Sequence, residues 1–327
     1  SYNGKEIKYP DIKLVYWAGG NPFHHQMNLK KLVRAFKQPD TIIVNEIWWN
    51  SLARHSDIIL PATTSLERND ISIKHWDQTI SPMHKAIEPV GEAKSDYEIF
   101  SEISSKLNFK DKFTEGKDED KWLRFIWEES KNKAKEEGFT LPEFDKFWKN
   151  GFQEVLSPKK QTILLEQFRI DPEKNPIPTP SGKIEIFSET IDSFNYKDCP
   201  GHPAWLEQEE WLGSNLTKQF PLQLISGQPH NRLHSQLDNG SESQNEKIRG
   251  REPIKIHPHD AQTRRLENGD IVEVFNKRGK CLAGVVISKE VMKGVVFLPV
   301  GAWYDPINDG DFCIHGNPNV LTEDIGT

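Results

Sequence analysis

The sequence is short of the features that announce the commonest function classes. Its three cysteines, Cys199, Cys281 and Cys313, form no C-x-x-C pair. Neither a zinc ribbon nor an iron–sulfur cluster is signalled, and all three read as ordinary residues. No apolar run approaches the ~20 residues of a membrane helix, so no membrane span is expected. Positive charge is not in excess: the net charge is −7, which argues against nucleic acid as the main partner. An anionic ligand stays admissible, because backbone amides and a few cations bind one locally. There is no P-loop, no G-x-G-x-x-G and no Ser-His-Asp spacing, and carboxylate pairs among 49 acidic residues carry no meaning without geometry. The opening SYNGKEIKYP lacks an initiator Met, a basic n-region and an apolar h-region, and the chain stops at LTEDIGT without a closing element. The expectation is a piece of a longer protein whose targeting is not written here.

What is present is a chain of 327 residues, 35% hydrophobic and 28% charged. That is enough for a real core and, at ~100–200 residues per domain, for two domains. The apolar run Ile12–Tyr16 reads as a buried strand. NLKKLVRAFK at Asn28–Lys37 spaces Leu29, Leu32, Val33 and Phe36 as a helix. TIIV at Thr41–Val44 reads as a second strand, WWNSLARHS as a short helix, and DIILPA at Asp57–Ala62 as a third strand closed by proline. This alternation predicts a parallel α/β sheet, whose ligands sit beyond the carboxyl ends of its strands. Gly19–His25, Asn45–Trp49 and Pro61–Asp70 are expected to converge there.

The middle of the chain differs. SDYEIFSEISSKL and DKWLRFIWEESKNKAKEEG have helical periodicity and many charges, and DPEKNPIPTPSGK is a proline-rich connector. Trp122, Phe125, Trp127, Phe144, Phe147 and Trp148 are read as packing a helical subdomain rather than binding a cofactor. From Phe220 the texture turns to short strands: PLQLIS, IKIHPHDA, GDIVEVFNKRGKCLAGVVIS with a hairpin turn at Lys277–Gly279, and GVVFLPVGAW. Their close spacing suggests a closed barrel, which leaves no exposed sheet edge.

Candidate chemistry sits at strand ends. WAGGNPFHH places two glycines and an asparagine between a strand and paired histidines. One reading is a plain turn. The other is close approach of a phosphate or pyrophosphate to Gly20 and Asn21, stabilised by free amides ahead of a helix. His230 and His234 are four apart, but Pro229 precedes them and no H-E-x-x-H glutamate is present. They are read instead as part of a polar turn with Gln228, Arg232, Ser235 and Gln236, suited to a pterin or a phosphate. HPHD at His257–Asp260 is read as surface, its His and Asp serving mainly as caps. Asp96 is either the N-cap of the helix that follows or a carboxylate for the adjacent N1–H and N2–H donors of guanine; both readings stay open.

From YWAGGNPFHHQMNLKKLVRAFKQPDTIIVNEIWWNSLARHSDIILPATTSLERNDI onward, the sequence resembles the molybdopterin oxidoreductases of the dimethyl sulfoxide reductase family, of the trimethylamine N-oxide, dimethyl sulfoxide and biotin sulfoxide reductase type. SGQPHNRLHSQL, GREPIKIHPHDA, NGDIVEVFNKRGKCLAGVVIS, GVVFLPVGAWYDP and GNPNVLTEDIGT resemble the last domain of that family in the same order. The resemblance implies an α/β Rossmann-like parallel-sheet domain with a helical insert over 1–205, followed by a double-psi β-barrel domain over 206–327. It also implies a bis(molybdopterin guanine dinucleotide) cofactor carrying one molybdenum.

Carried over residue by residue, the resemblance implies that Gly20, Asn21, His24, His25, Asn45, Glu46, Ala62, Thr63 and Arg68 face the dinucleotide, the pair Asn45 and Glu46 following the second strand. Asp96 would read guanine. Gln228, Arg232, His234, Ser235 and Gln236 would contact pterin and phosphates, with Asn319 nearby. The molybdenum ligand is expected outside this chain, so no catalytic or metal-ligating residue is assigned and the chain alone is expected to be inactive. The implied substrates are small S-oxides or N-oxides, with an electron donor that the sequence does not identify. Bacterial relatives are periplasmic or cytoplasmic. Another molybdopterin oxidoreductase, such as a formate dehydrogenase or nitrate reductase, and a non-enzymatic nucleotide-binding module are the alternatives.

Overall fold

A computed structural model of the chain describes residues 2–74, 78–155, 163–307 and 312–325. The last two residues of GNPNVLTEDIGT fall outside them. Leu14–Ala18, Thr41–Glu46 and Ile58–Pro61 form a three-stranded parallel sheet in that order. Helices join consecutive strands, the kind of crossover a parallel pair needs. The first strand starts two residues later than the apolar run suggested, and Ile12 stays half-exposed ahead of it. The second runs on through Asn45 and Glu46, so these residues end the strand instead of following it. The helix in NLKKLVRAFK spans Leu29–Phe36, capped by the side chain of Asn28, which accepts from the Lys31 amide. Asn50 caps the next helix, Ser51–Arg54, in the same way.

The chain folds into two compact units interleaved in sequence. One gathers Ser1–Val44, Trp48–Ile58 and Ile186–Thr327; the other gathers Asn45–Ile47 and Ile59–Glu185. The first unit contains a seven-stranded mixed sheet with the path Pro306–Ile307, Phe312–Cys313, Lys280–Ile287, Pro253–Ile256, Val295–Phe297 and Gln223–Ile225, while Ile271–Phe275 pairs with Lys280–Ile287. That last pair is the antiparallel hairpin expected at Lys277–Gly279, with Lys280 opposite Phe275. Its neighbour is parallel and sets Cys281 beside Cys313. Two cysteines far apart in sequence are therefore adjacent, buried and free, and burial raises both thiols above their ordinary range. The HPHD expectation needs a correction. His257 does cap the helix Pro258–Thr263, but Asp260 is buried and its carboxylate accepts from the Gly294 amide, so it fastens a loop to the sheet.

The second unit contains the helical segment. Asp96–Lys106, Lys110–Thr114, Glu119–Glu136 and Phe144–Asn150 are helices, and Asp70–Ser72, Thr79–Met83 and Gln153–Glu154 form a small antiparallel sheet. Trp127 and Phe147 stack with ring centroids 3.7 Å apart at the centre of a core that includes Ile80, Leu123 and Phe144, with Trp148 packed against it. The Trp127 indole N–H is satisfied by Pro142 O at 2.9 Å. Phe125 departs from the expectation: it is exposed, with Trp122 and the Lys117 ammonium against its ring. Glu67 staples the loop after Pro61. Its carboxylate accepts from the Thr64 amide and hydroxyl and from the Val90 amide, and these bonds hold it below the usual carboxylate range.

Trp127→Ala should empty the stacked core and destabilise the protein by about 3–5 kcal/mol, read by denaturant unfolding. A loss below about 1 kcal/mol would show that the helices are held by something other than this core.

Candidate functional site

The site in the first unit begins where the strand Leu14–Ala18 ends. Gly19 and Gly20 have φ of 81° and 86°, a left-handed backbone that glycine adopts without cost. A Cβ on Gly19 would meet nothing within 4 Å, and one on Gly20 only the Trp17 indole nitrogen at 3.5 Å. Protein crowding is therefore not what requires glycine here; the backbone conformation is, and the space beside it is open. Asn21 then caps the short helix Pro22–His25 by accepting from the Phe23 amide at 3.2 Å, with Pro22 in the first turn. Phe23 is fully buried and stacks on Tyr304 and His55, with centroids 5.5 and 4.3 Å away. The Asn317 side-chain amide donates to Phe23 O at 3.0 Å and the Asn319 amide to His24 O at 2.7 Å. The strand-end segment is thus fixed from two sides before any ligand arrives.

The second component is the turn after the strand Gln223–Ile225. Gln228 brackets His234: its amide nitrogen lies 3.0 Å from His234 Nδ1, and its amide oxygen accepts from the His234 backbone N–H at 3.1 Å. His234 and Leu237 have φ of 53° and 54°, so the two histidines four apart do not lie on a helix face. The left-handed turn presses on Gly301, where a Cβ would come within 1.9 Å of His234 O. Trp303 anchors the same turn by donating its indole N–H to Ser235 O at 2.8 Å.

The two components meet. Asn21 Nδ2 donates to Ser235 Oγ at 3.2 Å. The His24 ring lies 5.2 Å from the His234 ring and 4.9 Å from that of His25, and His25 lies 5.9 Å from His234. His24 Nδ1 is buried without a hydrogen-bond partner. Burial, reinforced by His25, His234 and Arg232, lowers His24 from its ordinary value to about 4, so this ring is neutral at neutral pH. Gln236 is exposed on the same turn, its amide donating to Leu233 O.

Arg232, which the resemblance implies as a pterin or phosphate contact, has a buried side chain here. Its side chain is 1% exposed. It pairs with Glu252 at 3.0 Å, lies 3.7 Å from Asp238, and donates to Val300 O at 3.0 Å. Lys247 joins the set, 2.7 Å from Asp238 and 3.5 Å from Glu252. Sequence reasoning missed Lys247, Asp238 and Glu252, because charged residues scattered over a polar stretch give no sign that folding will bury them together. It missed Trp303, Asn317 and Gly301 for a similar reason: each acts through the backbone of another segment.

The remaining candidates lie in the second unit. Asn45 is buried, and its side-chain amide donates to Asp96 Oδ1 at 2.7 Å. Ser95, not Asp96, is the N-cap of the helix: it forms a capping box with Glu98, and Asp96 occupies the first turn. That removes the capping alternative for Asp96 and leaves its carboxylate toward Asn45. Ala62 pairs with Lys94 across a parallel bridge and its amide donates to Glu46 O at 3.1 Å. Thr63 is buried with its hydroxyl unpartnered, and Arg68 pairs with Asp70. The large apolar cleft of the first unit, about 560 Å³, lies among other residues, including Leu216, Leu224, Val272 and Val296. Its lining includes the amides of Gln219, Gln223 and Asn276 but none of the histidines of the site above.

Between the ordinary imidazole value and about 4, the unfolded chain binds a proton that folded His24 refuses. Stability should therefore fall as pH drops through that window. His24→Gln should make the fall shallower without abolishing it, since burial also lowers His55 and His315. Thermal melts across the window check this, and an unchanged slope would contradict the burial of His24.

The family model for molybdopterin oxidoreductase matches residues 3–106, and that for the molybdopterin dinucleotide binding domain matches residues 222–327. The chain is 46% identical to a trimethylamine-N-oxide reductase of Haemophilus influenzae, covering all of this chain and 40% of that protein. It is 44% identical to a biotin sulfoxide reductase of Cereibacter sphaeroides, covering all of this chain and 44% of that protein. It is 42% identical to a dimethyl sulfoxide/trimethylamine N-oxide reductase of Rhodobacter capsulatus, covering all of this chain and 40% of that protein. Among solved structures, acetylene hydratase from Pelobacter acetylenicus matches with a TM-score of 0.72 at 19% identity, over 98% of this chain and 42% of that one, a likeness of fold. The chain thus spans about two fifths of the length of these curated relatives and carries, in order, a molybdopterin oxidoreductase domain and a molybdopterin dinucleotide binding domain.

Proposed function

We propose that this chain is the dinucleotide-holding part of a molybdenum-dependent S-oxide or N-oxide reductase. The observation that carries the reading is the convergence of Asn21 and His24 with His234 and Ser235, within a chain 41–46% identical along its whole length to reductases of that kind. The donor set fits a pterin dinucleotide. Left-handed backbone beside open space at Gly19 and Gly20 suits phosphate oxygens. A neutral imidazole with an unpartnered Nδ1 at His24, together with Ser235 and Gln236, suits the heteroatom-rich edge of a pterin.

In the second unit, Asp96 supplies a carboxylate for the paired N–H donors of guanine, oriented by the Asn45 amide. Thr63 offers its unpartnered hydroxyl, and Glu46, Ala62 and Arg68 complete the strand-end loops around it. When bound, the molybdenum cofactor supplies the oxygen-atom transfer that turns an S-oxide or N-oxide into the sulfide or amine, with two electrons and two protons carrying the oxygen away as water. The residues of this chain hold and orient that group. Asn21, Gln228 and Asn319 fix the backbone on which the donors sit, and the closing of such a site against bulk water strengthens each of these polar contacts.

The same reading divides the chain into a Rossmann-like domain with its helical insert over 1–205 and a double-psi β-barrel domain over 206–327. The order of the two matched domains supports this. The substrate is a small oxide and the electron donor a separate redox partner. The chain's similarity to bacterial reductases supports a bacterial enzyme, of the periplasm or cytoplasm; among the described residues no helix is long and apolar enough to cross a membrane.

The natural protein carrying this chain, purified whole, should contain molybdenum, release a guanine nucleotide on acid hydrolysis and reduce such oxides with a reduced viologen dye. A molybdenum-loaded preparation inert toward every S-oxide and N-oxide would overturn the reductase assignment, and one with neither metal nor guanine would overturn the binding reading. In that protein Asp96→Asn should lower the retained guanine nucleotide while unfolding changes by less than about 1 kcal/mol, because its amide oxygen can still accept from Asn45 and Ser95 keeps the helix cap. Unchanged guanine content would remove Asp96 from the site.

A further inference from the structure

We propose that Arg232, Lys247, Asp238 and Glu252 form a buried ionic lock that sets the left-handed turn at His234 and Ser235, with Arg232 acting as a positioning residue and not as a phosphate ligand. This deepens the reading that the turn faces a pterin dinucleotide. All four side chains are between 1% and 3% exposed. Two cations and two anions make the set neutral as a whole, which is what allows charges to remain in an apolar interior. The four members come from three stretches of backbone. Arg232 and Asp238 flank the turn, Lys247 follows the helix Ser241–Glu246, and Glu252 leads into the strand Pro253–Ile256.

The lock reaches the ligand-facing residues through two routes. Arg232 Nη2 donates to Val300 O at 3.0 Å, one residue before the Gly301 on which His234 O rests. Asp238 Oδ2 accepts from the Trp303 amide at 3.0 Å, and the Trp303 indole in turn donates to Ser235 O at 2.8 Å. Ser235 Oγ is the acceptor for Asn21. A guanidinium that left this set to grip a phosphate would strand two buried carboxylates on one ammonium, so the arrangement favours holding Arg232 inward.

The test uses the whole natural protein with three variants: Glu252→Gln, Arg232→Gln and the charge-balanced pair Lys247→Met with Glu252→Gln. Two quantities are read: amide hydrogen exchange in the peptide spanning 228–238, and pterin retained after extended dialysis. The lock predicts faster exchange in both single variants, with retention lowered about tenfold, as for supporting residues behind other bound groups. The balanced pair should recover both readouts. Unchanged exchange in Glu252→Gln would overturn the lock. So would a retention loss confined to Arg232→Gln and steeply salt-dependent, since that marks direct phosphate contact. If the wild-type protein holds no pterin, the proposed function fails while exchange still decides the lock. Variants too unstable to purify are replaced by Asp238→Asn, judged on the same exchange criterion.

Discussion

Two turns separated by 214 residues of chain are joined by one side-chain hydrogen bond, Asn21 Nδ2 to Ser235 Oγ, and the site depends on both turns being rigid when they meet. Neither could hold its shape by local sequence alone. The first combines left-handed glycines with a helix of only four residues, too short to be stable in isolation. The second places His234 and Leu237, which carry side chains, in left-handed backbone, a conformation that persists only when its surroundings impose it. Phe23 buried between Tyr304 and His55, Asn317 and Asn319 on backbone carbonyls, and Trp303 on Ser235 are those surroundings. Pre-organisation of this kind means that little ordering is left for the moment of binding.

The electrostatics follow the same design. The donors offered to a ligand are neutral: amides, a hydroxyl and an imidazole kept uncharged by burial. The formal charges nearby are turned inward and balanced against one another. In the proposed reading an anionic dinucleotide would meet backbone and amide dipoles, which select by geometry, where a loose collection of surface cations would attract any anion. This accords with a chain whose net charge is −7.

Much of the local architecture was legible because it rests on short-range signals. The β-branched TIIV, the helical spacing of Leu29, Leu32, Val33 and Phe36, and the hairpin at Lys277–Gly279 all became the elements their patterns imply. So did the turn character of the segment around His234. Boundaries slipped where apolar runs and hydrogen-bonded strands differ, as at Ile12. Phe125 was misplaced because an aromatic within a helical pattern looks the same whether it faces the core or a lysine. Asp96 was ambiguous because Ser95 and Asp96 are both good caps, and only the capping box with Glu98 decides between them. The pairing of Cys281 with Cys313 and the four buried charges were out of reach, since long-range register fixes them and no periodicity records it. The family resemblance implies Arg232 as a ligand contact; in the fold its Nη2 faces Glu252 and Val300 O, while its Nε is buried without a hydrogen-bond partner.

The central claim, that the converged turns of the first unit hold the pterin end of a dinucleotide, is tested most directly by an experimental density map of the whole natural protein with its bound cofactor. The account predicts pterin density within hydrogen-bonding distance of His24 Nδ1 and of Ser235 or Gln236, with Arg232 still paired to Glu252. Pterin density on a face remote from His24 and His234 would contradict it.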